Sequence, residues 1–248
     1  MTKAISILFA FLLLSITISF GQMPAVIEKD GHHALLVDGK PFFILGGQAH
    51  NSSAWPALLP HVWQSAEYMH LNTLEVPVYW EQIEPTEGSF DFSIVDTLLA
   101  QARTHNVHLV LLWFGTWKNG SNHYMPAWMK MNASKYPNIT SKDGRPIDSP
   151  SPHASTTLEA DSKAFTAVMR HLKEADPVHT VIMVQVENES GSWGSVRDYS
   201  SLAEQLFKGA VPAALMKPEI LQALHVPVIS GGPWKEVFGD RADEYFQA

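Results

Sequence analysis

The residues best placed to do chemistry lie in one stretch, His179-Thr180-Val181-Ile182-Met183-Val184-Gln185-Val186-Glu187-Asn188-Glu189-Ser190-Gly191, which begins apolar and ends in two acids. An apolar run of that length reads as a parallel strand. Period-two alternation puts Ile182, Val184 and Val186 on one face and Met183, Gln185, Glu187 and Glu189 on the other, so the second face turns polar toward the C-terminal end. A parallel strand is normally covered on both sides, so polarity confined to its last residues points to a site rather than a packed core. Glu189 is the candidate catalytic residue, a carboxyl able to give and take a proton. The plainer alternative is that Glu187 and Glu189 are strand-end carboxylates satisfied by Arg or backbone N–H groups.

A second concentration of chemistry follows the strand Val107–Trp113, where the loop Phe114–Trp128 gathers Trp117, Lys118, Asn119, Asn122, His123, Tyr124 and Trp128. Aromatic faces stack on the apolar face of a pyranose while amides hydrogen-bond its rim, which is what binding a neutral sugar requires. Other strand ends carry similar grammar. Phe42–His50 runs from apolar through Gly46-Gly47 to Gln48 and His50, and Leu71–Trp80 ends in Tyr79 and Trp80. Trp80 taken alone reads as a core aromatic.

The elements that must position these groups alternate strand and helix. Strands are expected near 42–47, 71–79, 107–113 and 180–187, parallel, in adjacent order and with their C-terminal ends at one rim. Helical spacing covers Trp55–Met69, Phe92–His105 and Leu158–Glu174, while Lys130–Ser155 is proline-rich and irregular. Beyond Trp193 the pattern weakens, with helices expected over Tyr199–Phe207, Val211–Leu224 and from Asp243, and a short strand over Val226–Ser230. Ala25–Val37 reads as a hairpin or lead-in, closed by a turn at Asp38-Gly39-Lys40-Pro41.

Over roughly residues 33–195 the chain resembles the family 35 β-galactosidases, of the clan of retaining glycosidases built on (β/α)8 barrels. Three motifs carry the resemblance: Val-Gln-Val-Glu-Asn-Glu-Ser-Gly at 184–191, Asn72-Thr73 followed by Trp80 and Glu84-Pro85-Thr86-Glu87-Gly88-Ser89-Phe90-Asp91-Phe92, and Pro126-Ala127-Trp128. The resemblance implies that Glu189 is the proton donor and Asn188 the ligand of the sugar's 2-hydroxyl. Strict alternation would part those two side chains, so the strand must bend at its end. Trp80, Tyr79, Trp117, Asn119 and His50 are the other expected substrate-binding residues. Two departures touch sugar recognition: Pro77 stands where the family carries a tyrosine, leaving Tyr79 as substitute, and Asn119-Gly120-Ser121 stands for Cys-Ala-Glu. The implied fold is the N-terminal half of a (β/α)8 TIM barrel, truncated after the fourth or fifth strand–helix unit, with the second catalytic carboxylate beyond the end of the chain.

Composition narrows the classes. The chain has 248 residues, 46% of them hydrophobic, enough for a substantial core. A formal charge of −8 argues against nucleic acid or anionic membrane surfaces as partners, and an oligosaccharide or polysaccharide fits better. There are no cysteines, and the 12 histidines show no His-Glu-x-x-His spacing, so neither metal nor other cofactor is expected. Residues 1–21, with Lys3 ahead of apolar Ile5–Phe20 and small residues at Ser19 and Gly21, read as a signal peptide of an exported bacterial protein; a retained membrane anchor is the alternative. Residues 22–248 are then a partial catalytic domain, periplasmic or extracellular. Five Asn-X-Ser/Thr sites, at Asn51, Asn119, Asn132, Asn138 and Asn188, read as chance matches, since a glycan on Asn188 would block the motif. Competing readings are a clan member with another sugar specificity and an inactive or carbohydrate-binding fragment.

Overall fold

The computed structural model describes residues 21–247. The expected signal peptide lies outside the described residues except for Gly21. Strands β1 (Ala25–Lys29), β2 (His32–Val37) and β3 (Lys40–Pro41) form a small antiparallel sheet. Its two turns are Asp-Gly pairs with positive φ at both residues, 53° and 75° at Asp30-Gly31 and 50° and 71° at Asp38-Gly39, the geometry that matches strand twist in a tight hairpin. There follow β4 (Gly46–Gln48), α1 (Leu59–Tyr68), β5 (Thr73–Tyr79), α2 (Trp80–Ile83), α3 (Ser93–His105), β6 (His108–Lys118) and α4 (Ala127–Lys130). Then come β7 (Asn138–Thr140), β8 (Pro146–Pro150), α5 (Ser155–Ala175) and β9 (Val181–Asn188), and after them α6 (Ser201–Phe207), α7 (Pro218–Ala223), α8 (Trp234–Phe238) and α9 (Ala242–Gln247).

The central sheet has the order β4-β5-β6-β9, and every pair in it is parallel. This is the expected arrangement, a run of strand–helix units with all strand C-termini at one rim. Paired residues of parallel strands share a face. Val78, Trp113 and Val186 therefore lie on the side where Trp113 meets Phe165 of α5 at 5.9 Å, whereas Tyr79 and Phe114 lie on the other. Helices α3 and α5 cover that first side and are tied together by Arg103, which donates to the Asp176 carboxylate at 2.8 Å and to the Ala175 carbonyl at 3.1 Å. Asp176 in turn accepts from the N–H groups of Thr180 and Val181, fixing where β9 starts.

Side-chain spacing explains the helices. In α3 the buried residues are Ile94, Val95, Leu98, Leu99 and Ala102, one apolar stripe, and Asn106 ends the helix in the left-handed region at φ 53°. In α5 the buried positions are Thr157, Asp161, Ala164, Val168 and Leu172, a stripe interrupted by one acid. Full burial of a leucine such as Leu98 contributes about 1.5–3 kcal/mol.

Several boundaries differ from those expected. The first barrel strand is Gly46–Gln48 rather than 42–47, because Asn72 replaces the ladder: its amide donates to the Phe43 carbonyl at 2.8 Å and accepts from Leu45 N–H at 2.9 Å. Lys130–Ser155 is not wholly irregular but contains the antiparallel pair β7–β8. Only Pro218–Ala223 of the expected helix over Val211–Leu224 forms, since Pro218 sets a new N-terminus and Val211 is bonded to Gly232 instead. Val226–Ser230 is irregular.

The helices α6 to α9 have their own small core, including Phe207, Leu221, Trp234, Val237 and Phe246. Arg197 sits at its border with a side chain only 5% exposed. It pairs with Glu204 and Asp243, each at 2.6 Å, and its guanidinium lies over the rings of Tyr199 at 3.9 Å and Phe207 at 4.0 Å. Next to it, fully buried Asp198 accepts from Thr140 N–H, Ser151 Oγ and Ser200 N–H, which joins this core to β7 and the loop after β8. Replacing Arg197 with methionine should therefore cost about 2 kcal/mol, below the range for a fully buried pair because both acids are about a third exposed. Urea unfolding of the two proteins measures it, and equal midpoints would contradict the assignment.

Candidate active site

The end of β9 is where the sheet departs from regular pairing. Trp113 pairs with Val186, but the next pair is Lys118 with Asn188, so four residues of β6 face the single residue Glu187. Glu187 and Glu189 both adopt left-handed backbone, at φ 61° and 53°. This is the bend that the Asn188–Glu189 motif demands. The backbone it leaves without ladder partners is satisfied by carboxyls. Glu187 accepts from Thr116 N–H at 3.0 Å and from Trp117 N–H at 2.7 Å, while Asp161 accepts from Thr116 N–H at 2.8 Å and from the Trp113 indole at 2.9 Å. The Thr116 hydroxyl also donates to Asp161.

Glu187 and Asp161 both accept from the Thr116 N–H, so the two carboxyls lie side by side. Burial, and after it the neighbouring Asp161, push the Glu187 carboxyl well above the ordinary range. Gly115 is obligatory here, because a Cβ would run into both carboxyls and the Trp113 indole. Glu187 is thus the satisfied strand-end acid of the plainer reading.

Glu189 is different. It is exposed, and it lines a cavity of 590 Å³ with Gly120, Ser190, Gly191, Trp193 and Glu244. Its backbone carbonyl accepts from Gly120 N–H at 3.1 Å, tying the loop after β6 to the loop after β9. Asn188 and Asn119 meet through Lys118, whose ammonium donates to both side-chain oxygens, at 2.6 and 2.5 Å. Burial holds the Lys118 ammonium below the ordinary lysine value, with the Glu189 charge opposing that effect. Asn119, Asn188 and Glu189 therefore come together as expected.

The other expected residues do not join them. Trp80 is fully buried: as the first residue of α2 it turns back to the helix-covered side, bonds Glu84 through its indole at 2.9 Å and packs against Trp113 and Trp128. Tyr79 is also fully buried, stacked on Trp55 and Tyr124, with its hydroxyl accepting from Ala54 N–H at 3.2 Å; burial raises its pKa. Trp117 is half-buried, donates to Ser149 Oγ at 3.1 Å and lines a separate 180 Å³ cavity with Asp161 and Glu187. His50 is exposed, but it borders a cavity between β4 and α1. Full burial corrects the expected place of Trp80 and Tyr79 at the sugar, while Trp117 and His50 line other cavities.

Asp161 and Trp193 are not among the expected site residues, and Lys118 enters the sequence reading only as one polar residue of the loop after β6. Asp161 had a signal, an acid on the buried stripe of a helix. Lys118 had none beyond its position between Trp117 and Asn119. Trp193 is 75% exposed in the Glu189 cavity, resting against Gly120, where a Cβ would strike the ring. Among the described residues no group of three His, Asp or Glu side chains is gathered to hold a metal ion.

A family model of glycoside hydrolase 42, described as beta-galactosidase, matches residues 55–222, more than half of the chain. The chain belongs to this family. The match replaces family 35 with family 42, while the beta-galactosidase likeness stands. A beta-galactosidase of Xanthomonas manihotis is 30% identical over 171 residues, covering 65% of this chain and 26% of that protein. Beta-galactosidase 8 of Arabidopsis thaliana is 25% identical over 198 residues, covering 74% of this chain and 21% of that one. Among solved structures, Gan42B, a GH42 beta-galactosidase from G. stearothermophilus, superposes with a TM-score of 0.53 at 21% identity over 67% of this chain and 23% of its own, a likeness of fold. The chain spans about a quarter of the length of these glycoside hydrolase 42 and related beta-galactosidases.

The carboxyl pair carries a pH dependence with a definite sign. Folded Glu187 keeps a proton that the unfolded chain releases above the ordinary carboxyl range, so this site's contribution to stability falls as pH rises toward the raised value. Glu187→Gln supplies an amide N–H to Asp161 without a titrating proton. Its stability between pH 6 and pH 9 should fall less than that of the parent in paired urea titrations, and parallel pH curves would refute the raised Glu187 carboxyl.

Proposed function

We propose that this chain provides the proton-transferring part of a retaining β-galactosidase site, with Glu189 as general acid and base and Asn188 holding the 2-hydroxyl of the sugar. The observation that carries the reading is the bend at the end of β9. It brings an exposed carboxyl and an amide, adjacent in sequence, to one rim beside Asn119 and an open cavity. Family membership and the beta-galactosidases it resembles support the sugar class.

In such a mechanism Glu189 protonates the glycosidic oxygen as the bond breaks, then takes a proton from water in the second step. A retaining reaction needs a second carboxylate about 5 Å from the first. That group is not assigned to a residue of this chain: Glu244 borders the same cavity but is ion-paired with Arg241 at 3.2 Å. The proposed substrates are β-galactosides of plant or host glycans, met outside the cytoplasm of a bacterium. No helix among the described residues is long and apolar enough to cross a membrane.

A different sugar specificity on the same machinery is the second reading. It is favoured by the burial of Tyr79 and Pro77, which leaves no aromatic hydroxyl of β5 free to read the sugar.

Glu189→Gln in the protein as its gene encodes it keeps the shape and removes the proton. Activity on natural β-galactosides should fall by about 10²–10⁴-fold, and less on aryl glycosides whose leaving groups need little protonation. Indifference of both substrates to the change would remove Glu189 from the mechanism. Sugar binding without turnover in the parent would favour a binding protein.

A further inference from the structure

Lys118 is 6% exposed, yet its ammonium sits between the two amides of the site, 2.5 Å from Asn119 Oδ1 and 2.6 Å from Asn188 Oδ1, with the Phe114 ring centroid at 4.9 Å. An ammonium can only donate, so each asparagine must turn its oxygen toward Lys118 and its NH2 away. Neither NH2 has a protein partner among the described residues, and neither is sealed from solvent. The backbone prepares the arrangement. Lys118-Asn119-Gly120-Ser121 is a tight turn with positive φ at Asn119 and Gly120, closed by Lys118 N–H to the Ser121 carbonyl at 2.8 Å, so Asn119 folds back over the lysine.

An asparagine amide rotates easily about its last bond and presents either a donor or an acceptor. A sugar site needs one of the two, held constant. We infer that Lys118 is a positioning residue that locks the amides of Asn119 and Asn188, so that both present NH2 donors to neighbouring hydroxyl oxygens of the bound sugar. This rests on the reading of Asn188 as the ligand of the 2-hydroxyl. It adds a specificity element in which this pair of donors, rather than a carboxylate, reads this side of the ring. Replacing the lysine by an apolar residue frees both amides to flip and leaves their oxygens without a buried donor.

The test compares the protein as its gene encodes it with Lys118→Met, Lys118→Gln and Asn188→Ala, each assayed on an aryl β-galactoside and on its 2-deoxy counterpart. Lys118→Met should lower kcat/KM on the hydroxylated substrate by about 10- to 100-fold and on the 2-deoxy substrate by about threefold or less. Lys118→Gln, which still donates, should restore part of the discrimination. Equal losses on both substrates would show that Lys118 only supports the fold, and would overturn the inference. Should Lys118→Met fail to fold, the same ratio in Lys118→Gln decides, since intermediate discrimination is expected and none would refute it. Discrimination lost in Asn188→Ala but intact in the Lys118 variants overturns the role of Lys118 alone. Discrimination untouched in Asn188→Ala overturns the assignment of Asn188, and the inference with it.

Discussion

Two carboxyls set side by side, those of Glu187 and Asp161, govern the end of this sheet. Where β6 and β9 lose register, the N–H groups of Thr116 and Trp117 have no strand to bond. Leaving a buried donor unpaired costs about 1–3 kcal/mol, so something must meet them. Glu187 and Asp161 do so, from the neighbouring strand and from α5. Two bare carboxylates side by side would repel, and burial and the neighbouring Asp161 favour the protonated form of Glu187 while amide, indole and hydroxyl donors stabilise Asp161. The bend that exposes Glu189 thus depends on a group on the opposite side of the backbone.

Much of the architecture was legible in the sequence, because apolar runs and helical stripes report burial directly. The four parallel strands and the helices α3 and α5 follow from patterns of that kind. The start of β4 was not, since it depends on a side chain, Asn72, acting as backbone. The site was half legible. Asn188 and Glu189 follow from a motif, but alternation could not tell that Glu187 turns inward and Glu189 outward, because both residues leave the extended region. Trp80 and Tyr79 show the opposite error. Aromatic residues at a strand end suit a sugar and a core equally well, and here α2 and the Tyr124 ring take them into the core.

Beyond β9, buried charge joins the small apolar core of α6 to α9 to the rest of the chain. The Arg197-Asp198 pair joins three regions through side-chain bonds, yet neither residue belongs to a periodic element. Arg197 satisfies two acids and covers two rings, and Asp198 collects donors from β7, the segment after β8 and the start of α6. Hydrophobic periodicity carries no trace of such a junction.

Trp193 also gives the protein an optical property. Trp63, Trp80, Trp113 and Trp234 are each at most 6% exposed, whereas Trp193 is 75% exposed and Trp55 41%. A water-soluble quencher such as acrylamide would reach the indoles of Trp193 and Trp55 while the buried set continued to emit. Because Trp193 lies against Gly120 and shares its cavity with Glu189, any molecule filling that space would shade one identifiable fluorophore. The loop beside Glu189 therefore carries its own reporter, without a label or a chromogenic substrate.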